Sequence, residues 1–272
     1  MREPRPFKVD LKPGHFTGME WGERGAQPVV MLHGFNQTCH SWEETAGEIG
    51  DDFHVIAFDQ RGHGNSLRST EGDYSRKSMA ADVGLVADQF EFDTFVLIGM
   101  SMGAANSIEF TSSNGARVKQ LVLVDYAPTV ETAGVDKIKM LFMHRWDSID
   151  RAVRDVRMFN PRRSEANIRS RLEHTLMQHE DGKWTWKVDP AFATQARFSE
   201  GPEVLWERVR RVTCPTLAIR GGESDVLALE NAERLINELA DGRLEIVAGA
   251  GHSVAGDNPE GFLTALRPFL AG

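Results

Sequence analysis

Cysteine is scarce in this chain of 272 residues. The two present, Cys39 and Cys214, stand far apart and in no CxxC pair. That excludes a disulfide framework and reads as two free thiols in a reducing compartment. Long apolar runs are also missing. No stretch approaches the roughly 18 apolar residues of a membrane span. The opening Met1-Arg2-Glu3-Pro4-Arg5-Pro6 leads into no apolar signal region. The expectation is a soluble, cytoplasmic protein without a membrane partner. Positive charge is in deficit, the formal net charge being −9. A field of that sign excludes nucleic acid as a partner, while a local basic pocket could still hold a small acid. Repeats and low-complexity tracts are absent, and the nine histidines show no HExxH or comparable spacing. No metal and no cofactor are expected. Nothing in the pattern separates a monomer from a homodimer.

What is present suits a folded chain with a sizeable core: 41% hydrophobic and 26% charged residues. The length fits one α/β domain with an insertion, or two domains at most. Short apolar runs recur at Val29–His33, Val55–Asp59, Phe95–Gly99, Leu121–Asp125, Leu217–Arg220 and Leu244–Val247. They are β-branched and do not alternate with polar residues, as strands covered on both faces do. Helical patterns lie between them at Ser78–Phe90, Met102–Ser112, Leu229–Leu239 and Pro259–Leu270. This alternation predicts a doubly wound, mostly parallel α/β sheet. Residues Phe7–Trp21 are expected to add an antiparallel pair at one edge.

From Glu131 to Arg211 the alternation stops and no buried strand is signalled. Helical patterns (Val135–Trp146, Ile149–Phe159, Ser164–Gln178) carry aromatics at Phe142, Trp146, Phe159, Trp184, Trp186, Phe192, Phe198 and Trp206. The stretch is too long for a loop. It reads as a helical lid, residues 131–211, inserted into a core made of residues 1–130 and 212–272. Singly, its aromatics are expected to be core. As a unit the segment is expected to cover the carboxyl ends of the strands, where ligands bind.

Gly99-Met100-Ser101-Met102-Gly103 matches GxSxG, with the strand before it and the helix after it that the motif needs. Small neighbours let strand and helix approach, so that the serine hydroxyl projects at the sheet edge. The helix N-terminus beyond it offers amide N–H groups to a developing oxyanion. His33-Gly34-Phe35, after the first buried strand, can aim the Phe35 amide at the same point, with the Met102 amide as partner. His33 itself is expected to be architectural. Gly251-His252, on a glycine-rich loop after the last strand, can reach the serine as general base and acid. Two aspartates compete to orient that histidine. Asp125 ends LVLVD, and Asp225 lies in Gly221-Gly222-Glu223-Ser224-Asp225. The register of the later loop puts Ser224 in the acid's usual slot and leaves Asp225 one residue late, which favours Asp125 with Asp225 as the alternative.

Taken together, His33-Gly34-Phe35, Asp59 to Ser66, the Ser101 elbow, Val124 to Pro128 and Gly251-His252 resemble the α/β-hydrolase-fold enzymes. The resemblance runs from about Val29 to Leu270. It implies an eight-stranded, mostly parallel sheet with a lid after strand six. The placing of Asp125 is similar to a branch that includes bacterial esterases and 2-(acetamidomethylene)succinate hydrolase, a cofactor-free amidase. Epoxide hydrolases and haloalkane dehalogenases carry aspartate at the elbow, and Ser101 departs from both. C–C bond hydrolases often follow the histidine with tryptophan, where this chain has Ser253. The resemblance therefore implies a serine hydrolase acting on a small carboxylic ester or amide. A C–C bond hydrolase or a cofactor-free oxidative enzyme is the alternative within the fold, and a non-catalytic ligand receptor a third reading. Arg145, Arg154, Arg157, Arg162 and Arg163 of the lid are read as a solvated face, with pairing to a substrate carboxylate as the alternative.

Overall fold

The computed structural model describes residues 2–194 and 200–272. Its strands are β1 (Arg5–Asp10), β2 (His15–Trp21), β3 (Gln27–Leu32), β4 (Phe53–Phe58), β5 (Phe95–Met100), β6 (Val118–Val124), β7 (Leu176–Gln178), β8 (Trp184–Trp186), β9 (Thr216–Gly221) and β10 (Gly242–Val247). The helices in chain order are α1 (Glu43–Ile49), α2 (Arg76–Gln89), α3 (Met102–Asn114), α4 (Thr132–Phe142), α5 (Ile149–Phe159) and α6 (Glu165–Thr175). They continue with α7 (Ala191–Thr194), α8 (Pro202–Val209), α9 (Leu229–Glu238), α10 (Val254–Asp257) and α11 (Pro259–Ala271).

Among the described residues, eight strands form one sheet in the order β1-β2-β4-β3-β5-β6-β9-β10. β2 runs antiparallel to both neighbours, and the remaining pairs are parallel. The central strands carry unbroken apolar stretches, Val29–Leu32, Val55–Phe58, Phe95–Ile98 and Leu121–Val124, because both faces are covered there. Val30, Leu32, Ile56, Phe58, Leu97 and Leu123 pack beneath α2, α3 and α9. Their neighbours Val29, Met31, Val55, Ala57, Ile98 and Val122 pack on the other face against Trp42, Ile49 of α1 and Phe262 of α11. Period-2 geometry thus sends successive apolar residues into two separate cores.

Between β6 and β9 the chain builds a third apolar cluster of its own, with Trp146, Val153, Ile168, Leu172, Trp186 and Phe192 buried in it. Serines set the starts of two of its helices: Ser148 Oγ accepts from the amide of Arg151, and Ser164 Oγ from that of Asn167. One expectation is corrected here. The segment does contain strands, the short antiparallel pair β7–β8. The helix expected to reach Gln178 stops at Thr175, and its last three residues become β7. Three-residue strands are too short to show a period, although the turn between them carries the hairpin dipeptide Asp181-Gly182, with Gly182 at φ 79° and Asp181 Oδ1 accepting from the Lys183 amide. α8 lies within the segment in sequence but packs with the core: Trp206 and Val209 join the cluster beneath α3 and α9. The Trp206 indole N–H reaches Thr129 at 3.2 Å. Phe198 lies outside the described residues.

A buried ion pair fixes the loop after β4. Arg61 holds Asp82 of α2 through two hydrogen bonds of 2.5 and 2.6 Å, and its third nitrogen reaches the Asp73 carbonyl at 3.1 Å. Both side chains are nearly sealed from solvent. Removing Asp82 would leave the buried guanidinium only the longer, 3.8 Å approach of the half-exposed Asp73 carboxylate. Asp82→Asn is expected to lower stability by about 3–5 kcal/mol, read as a lower midpoint in urea denaturation. A variant unfolding at the wild-type midpoint would show that the pair does not hold this loop.

Candidate active site

β5 ends at Met100 and α3 begins at Met102, so the chain turns within one residue. That residue, Ser101, has φ 51° and ψ −112°, a strained conformation for a side-chain-bearing residue. The turn closes only because the residues two positions before and after Ser101 lack side chains. A Cβ on Gly99 would sit 2.4 Å from the Gly103 carbonyl oxygen, and one on Gly103 2.3 Å from that of Leu32. The Ser101 amide donates to the Val124 carbonyl at 2.9 Å, which ties the turn to the end of β6.

Asp125 follows that carbonyl at once, also at positive φ, 49°. Its amide donates to Ile219 of β9, and its carboxylate is fully buried. Three donors surround the carboxylate. Oδ1 accepts from the Gly221 amide at 2.9 Å, while Oδ2 accepts from Ser224 Oγ at 2.5 Å and faces His252 Nδ1 at 2.7 Å. The other ring nitrogen, Nε2, lies 3.0 Å from Ser101 Oγ. An ionised carboxylate only accepts, so Nδ1 carries the proton and Nε2 presents a lone pair to the serine hydroxyl. The structure therefore brings Ser101, His252 and Asp125 into one hydrogen-bonded line. It does not bring Asp225 there: that side chain is half-exposed and pairs with Lys137 Nζ at 2.6 Å.

Phe35 lies in the loop after β3 and lines the same cavity as Ser101 and His252. Its ring stacks on Phe192, with centroids 5.4 Å apart. Met102 is the first residue of α3, where the main-chain amides of a helix start point toward the elbow. His33 is fully buried. Its Nδ1 meets the Gly34 carbonyl at 2.8 Å, and Nε2 accepts from the Gln60 amide at 3.0 Å. Burial holds its pKa below the usual histidine value. It braces the loops after β3 and β4 and stays neutral. Cys39 and Cys214 are both free and buried, and burial pushes both thiols up, so neither is an activated nucleophile.

The cavity above Ser101 measures about 440 Å³. The segment between β6 and β9 supplies much of its wall, including Leu141, Val156, Leu172 and Trp186. Of the arginines singled out in that segment, Arg145 pairs with Asp181 and Arg157 with Glu165 at the surface, and Arg154 is exposed. Arg162 and Arg163 do line the cavity, bound to Glu223 and Asp257. A further one, Arg171 of α6, lines it too and was not found from the sequence. The spacing that reveals it is Ile168-Arg171-Leu172-Thr175, a cation on the helix stripe that faces the cavity. Long-range folding also assembles His40, Glu43 and His174, whose ligand atoms lie within 4.8 Å of one another. The two imidazoles stack at 3.7 Å and His40 Nδ1 meets Glu43 at 2.6 Å. Stacked rings direct their lone pairs in parallel, so this group fastens α6 to the core.

The sequence model of the alpha/beta hydrolase family matches residues 29–265. Esterase Rv0045c of Mycobacterium tuberculosis is 27% identical, over 98% of this chain and 90% of its own length. A solved structure of that esterase, 25% identical, superposes with a TM-score of 0.82, covering 99% of this chain and 92% of that one. The 2-(acetamidomethylene)succinate hydrolase of Mesorhizobium japonicum is 27% identical over 91% of this chain and 90% of its own. A crystal structure of E-2-(acetamidomethylene)succinate hydrolase, 24% identical, superposes over 99% of this chain and all of that one with a TM-score of 0.88. No helix among the described residues is long and apolar enough to cross a membrane.

The elbow geometry can be tested directly. Gly103→Ala drives a Cβ into the Leu32 carbonyl, with an expected loss of about 1–3 kcal/mol by overpacking. Thermal denaturation should show the lowered midpoint, and a folded variant with the wild-type midpoint would remove the steric argument.

Proposed function

The chain belongs to the alpha/beta hydrolase family, and within it we propose that it is a serine hydrolase cleaving a small carboxylic ester or amide through an acyl-enzyme. The observation that carries this reading is the unbroken line from Ser101 Oγ through His252 to Asp125. His252 Nε2 takes the serine proton as Oγ attacks the substrate carbonyl. The imidazolium that forms is stabilised by the buried carboxylate of Asp125. Main-chain amides of Phe35 and Met102 receive the oxyanion, which the partial charge at the start of α3 also favours. As the tetrahedral intermediate collapses, His252 returns the proton to the leaving alcohol or amine. Water then repeats the sequence: His252 deprotonates it, the hydroxide adds to the acyl carbon, and Ser101 leaves with the proton. The segment between β6 and β9 acts as a lid that narrows access of bulk water. The esterase and hydrolase names of the relatives support this class of reaction, with a small molecule as substrate.

A fluorophosphonate probe should form one covalent adduct, located at Ser101 by peptide mass spectrometry and absent from Ser101→Ala. Turnover of p-nitrophenyl esters separates the two aspartates. Asp125→Asn is expected to lower kcat by about 10⁴-fold, through the wrong imidazole tautomer. Asp225→Asn, which breaks only an exposed pair, should stay within about twofold. Full activity in Ser101→Ala, or an adduct at another residue, would overturn the mechanism.

A further inference from the structure

Four cations face the cavity that contains Ser101: Lys137, Arg162, Arg163 and Arg171. Three carboxylates face it as well, and each takes one cation. Lys137 meets Asp225 at 2.6 Å, Arg162 meets Glu223 at 2.5 Å, and Arg163 meets Asp257 at 2.7 Å. Arg171 is left over. Its guanidinium makes no hydrogen bond or ion pair among the described residues. Residues 195–199 read Gln-Ala-Arg-Phe-Ser and contain no acid that could serve. The side chain is half-buried. Burial and the neighbouring charge of Arg163 draw its pKa down to about 10, against the pull of Glu44, Asp257 and Glu43 from beyond ion-pair reach. It remains a cation at neutral pH, held in the wall of a partly apolar cavity with no counter-charge. Such a group is costly to the folded protein until an anion reaches it.

We propose that Arg171 is a carboxylate subsite: the cavity takes an ester or amide that carries a single carboxylate, which the Arg171 guanidinium binds while the scissile carbonyl lies at Ser101. The second half rests on the serine-hydrolase reading above, whereas the binding half stands on the cavity alone. A planar guanidinium matches a carboxylate with two parallel N–H···O bonds. One unmatched positive charge suits a monoanion. A phosphate dianion would bring a second negative charge toward Glu43, Glu44 and Asp257. Ile168 and Leu172, beside Arg171 on α6, would contact the carbon chain between the two groups.

The test pairs a charged ester with a neutral one of similar size, mono-p-nitrophenyl succinate against p-nitrophenyl butyrate. Arg171→Gln is expected to raise KM for the succinate ester by about ten- to a hundredfold, the worth of a hydrogen bond to a charged group. KM for the butyrate ester should change little, and Arg171→Lys should recover part of the loss. Equal losses on both esters, or none on the charged one, would overturn the subsite. A binding arm needs no turnover. Monomethyl succinate should bind Ser101→Ala in calorimetry and fail to bind the Ser101→Ala/Arg171→Gln variant, while dimethyl succinate should not distinguish them. Inorganic phosphate should bind neither. Binding that survives the loss of Arg171, no binding at all, or phosphate binding as well as monomethyl succinate would each refute the assignment. If neither p-nitrophenyl ester were hydrolysed while the binding arm succeeded, the hydrolytic reading would fail and the carboxylate site would stand. Folding is checked by Arg171→Met, whose Tm should equal or exceed that of the wild type, since no partner is lost.

Discussion

A carboxylate with no exposed surface governs the loops at the carboxyl edge of the sheet. Asp125 leaves β6 at positive φ and is sealed on every side. A buried anion is tolerable only when its oxygens are fully bonded. Here the donors come from three places: the end of β9 (Gly221), the loop after it (Ser224) and the loop after β10 (His252). Satisfying one charge therefore sets the relative positions of three chain segments. Ser224 is held in turn, since its oxygen accepts from the amides of Val226 and Leu227. The Ser101 amide bonds to Val124, the residue before Asp125. Ser101, His252 and Asp125 thus share a frame of backbone hydrogen bonds, which is what keeps a 3.0 Å approach of His252 to Ser101 from being left to chance.

The core was legible in the sequence because its physics is local and repetitive. Strands buried on two faces must be apolar at consecutive positions, so β3, β4, β5 and β6 stand out as unbroken runs. The elbow was legible for a steric reason: a Cβ on Gly99 would strike the Gly103 carbonyl and one on Gly103 that of Leu32, so the motif needs glycine at both positions. The later loop could be read by counting. Ser224 touches the Asp125 carboxylate, and Asp225, one residue on, turns toward Lys137. Side-chain direction over three residues is thus set by the turn alone.

The segment between β6 and β9 was legible in outline only. Its helices are short, and the serines that cap two of them look like any loop serine. The β7–β8 pair is too brief to have a period. The membership of α8 in the core depends on Trp206 meeting Thr129 and the ring-facing Arg234, contacts made across the fold. Arg171 escaped for a related reason. Its place on the Ile168-Leu172-Thr175 stripe turns it inward, but whether a carboxylate arrives from elsewhere to pair with an arginine is not written in the local sequence. Glu223 and Asp257, the acids that neutralise Arg162 and Arg163, lie about sixty and ninety residues away.

Those cross-segment pairs do two things at once, and their strengths differ. Arg163 and Asp257 are both nearly sealed from solvent, and Asp257 also accepts from Asn160 and from the amide of Gly251, the residue before His252. This contact is stiff, and it ties the inserted segment to the loop that carries the histidine. The Arg162–Glu223 and Lys137–Asp225 pairs are largely exposed and weak in water. The segment is therefore fastened firmly beside His252 and loosely along the rest of the cavity rim. The pairing also cancels charge. Without it the rim would carry four cations and three anions competing for any charged ligand. With it, the one net charge left facing the cavity sits at Arg171. In a chain of net charge −9 the distant field repels an anion, so a local unmatched cation is the arrangement that lets one be held at this site.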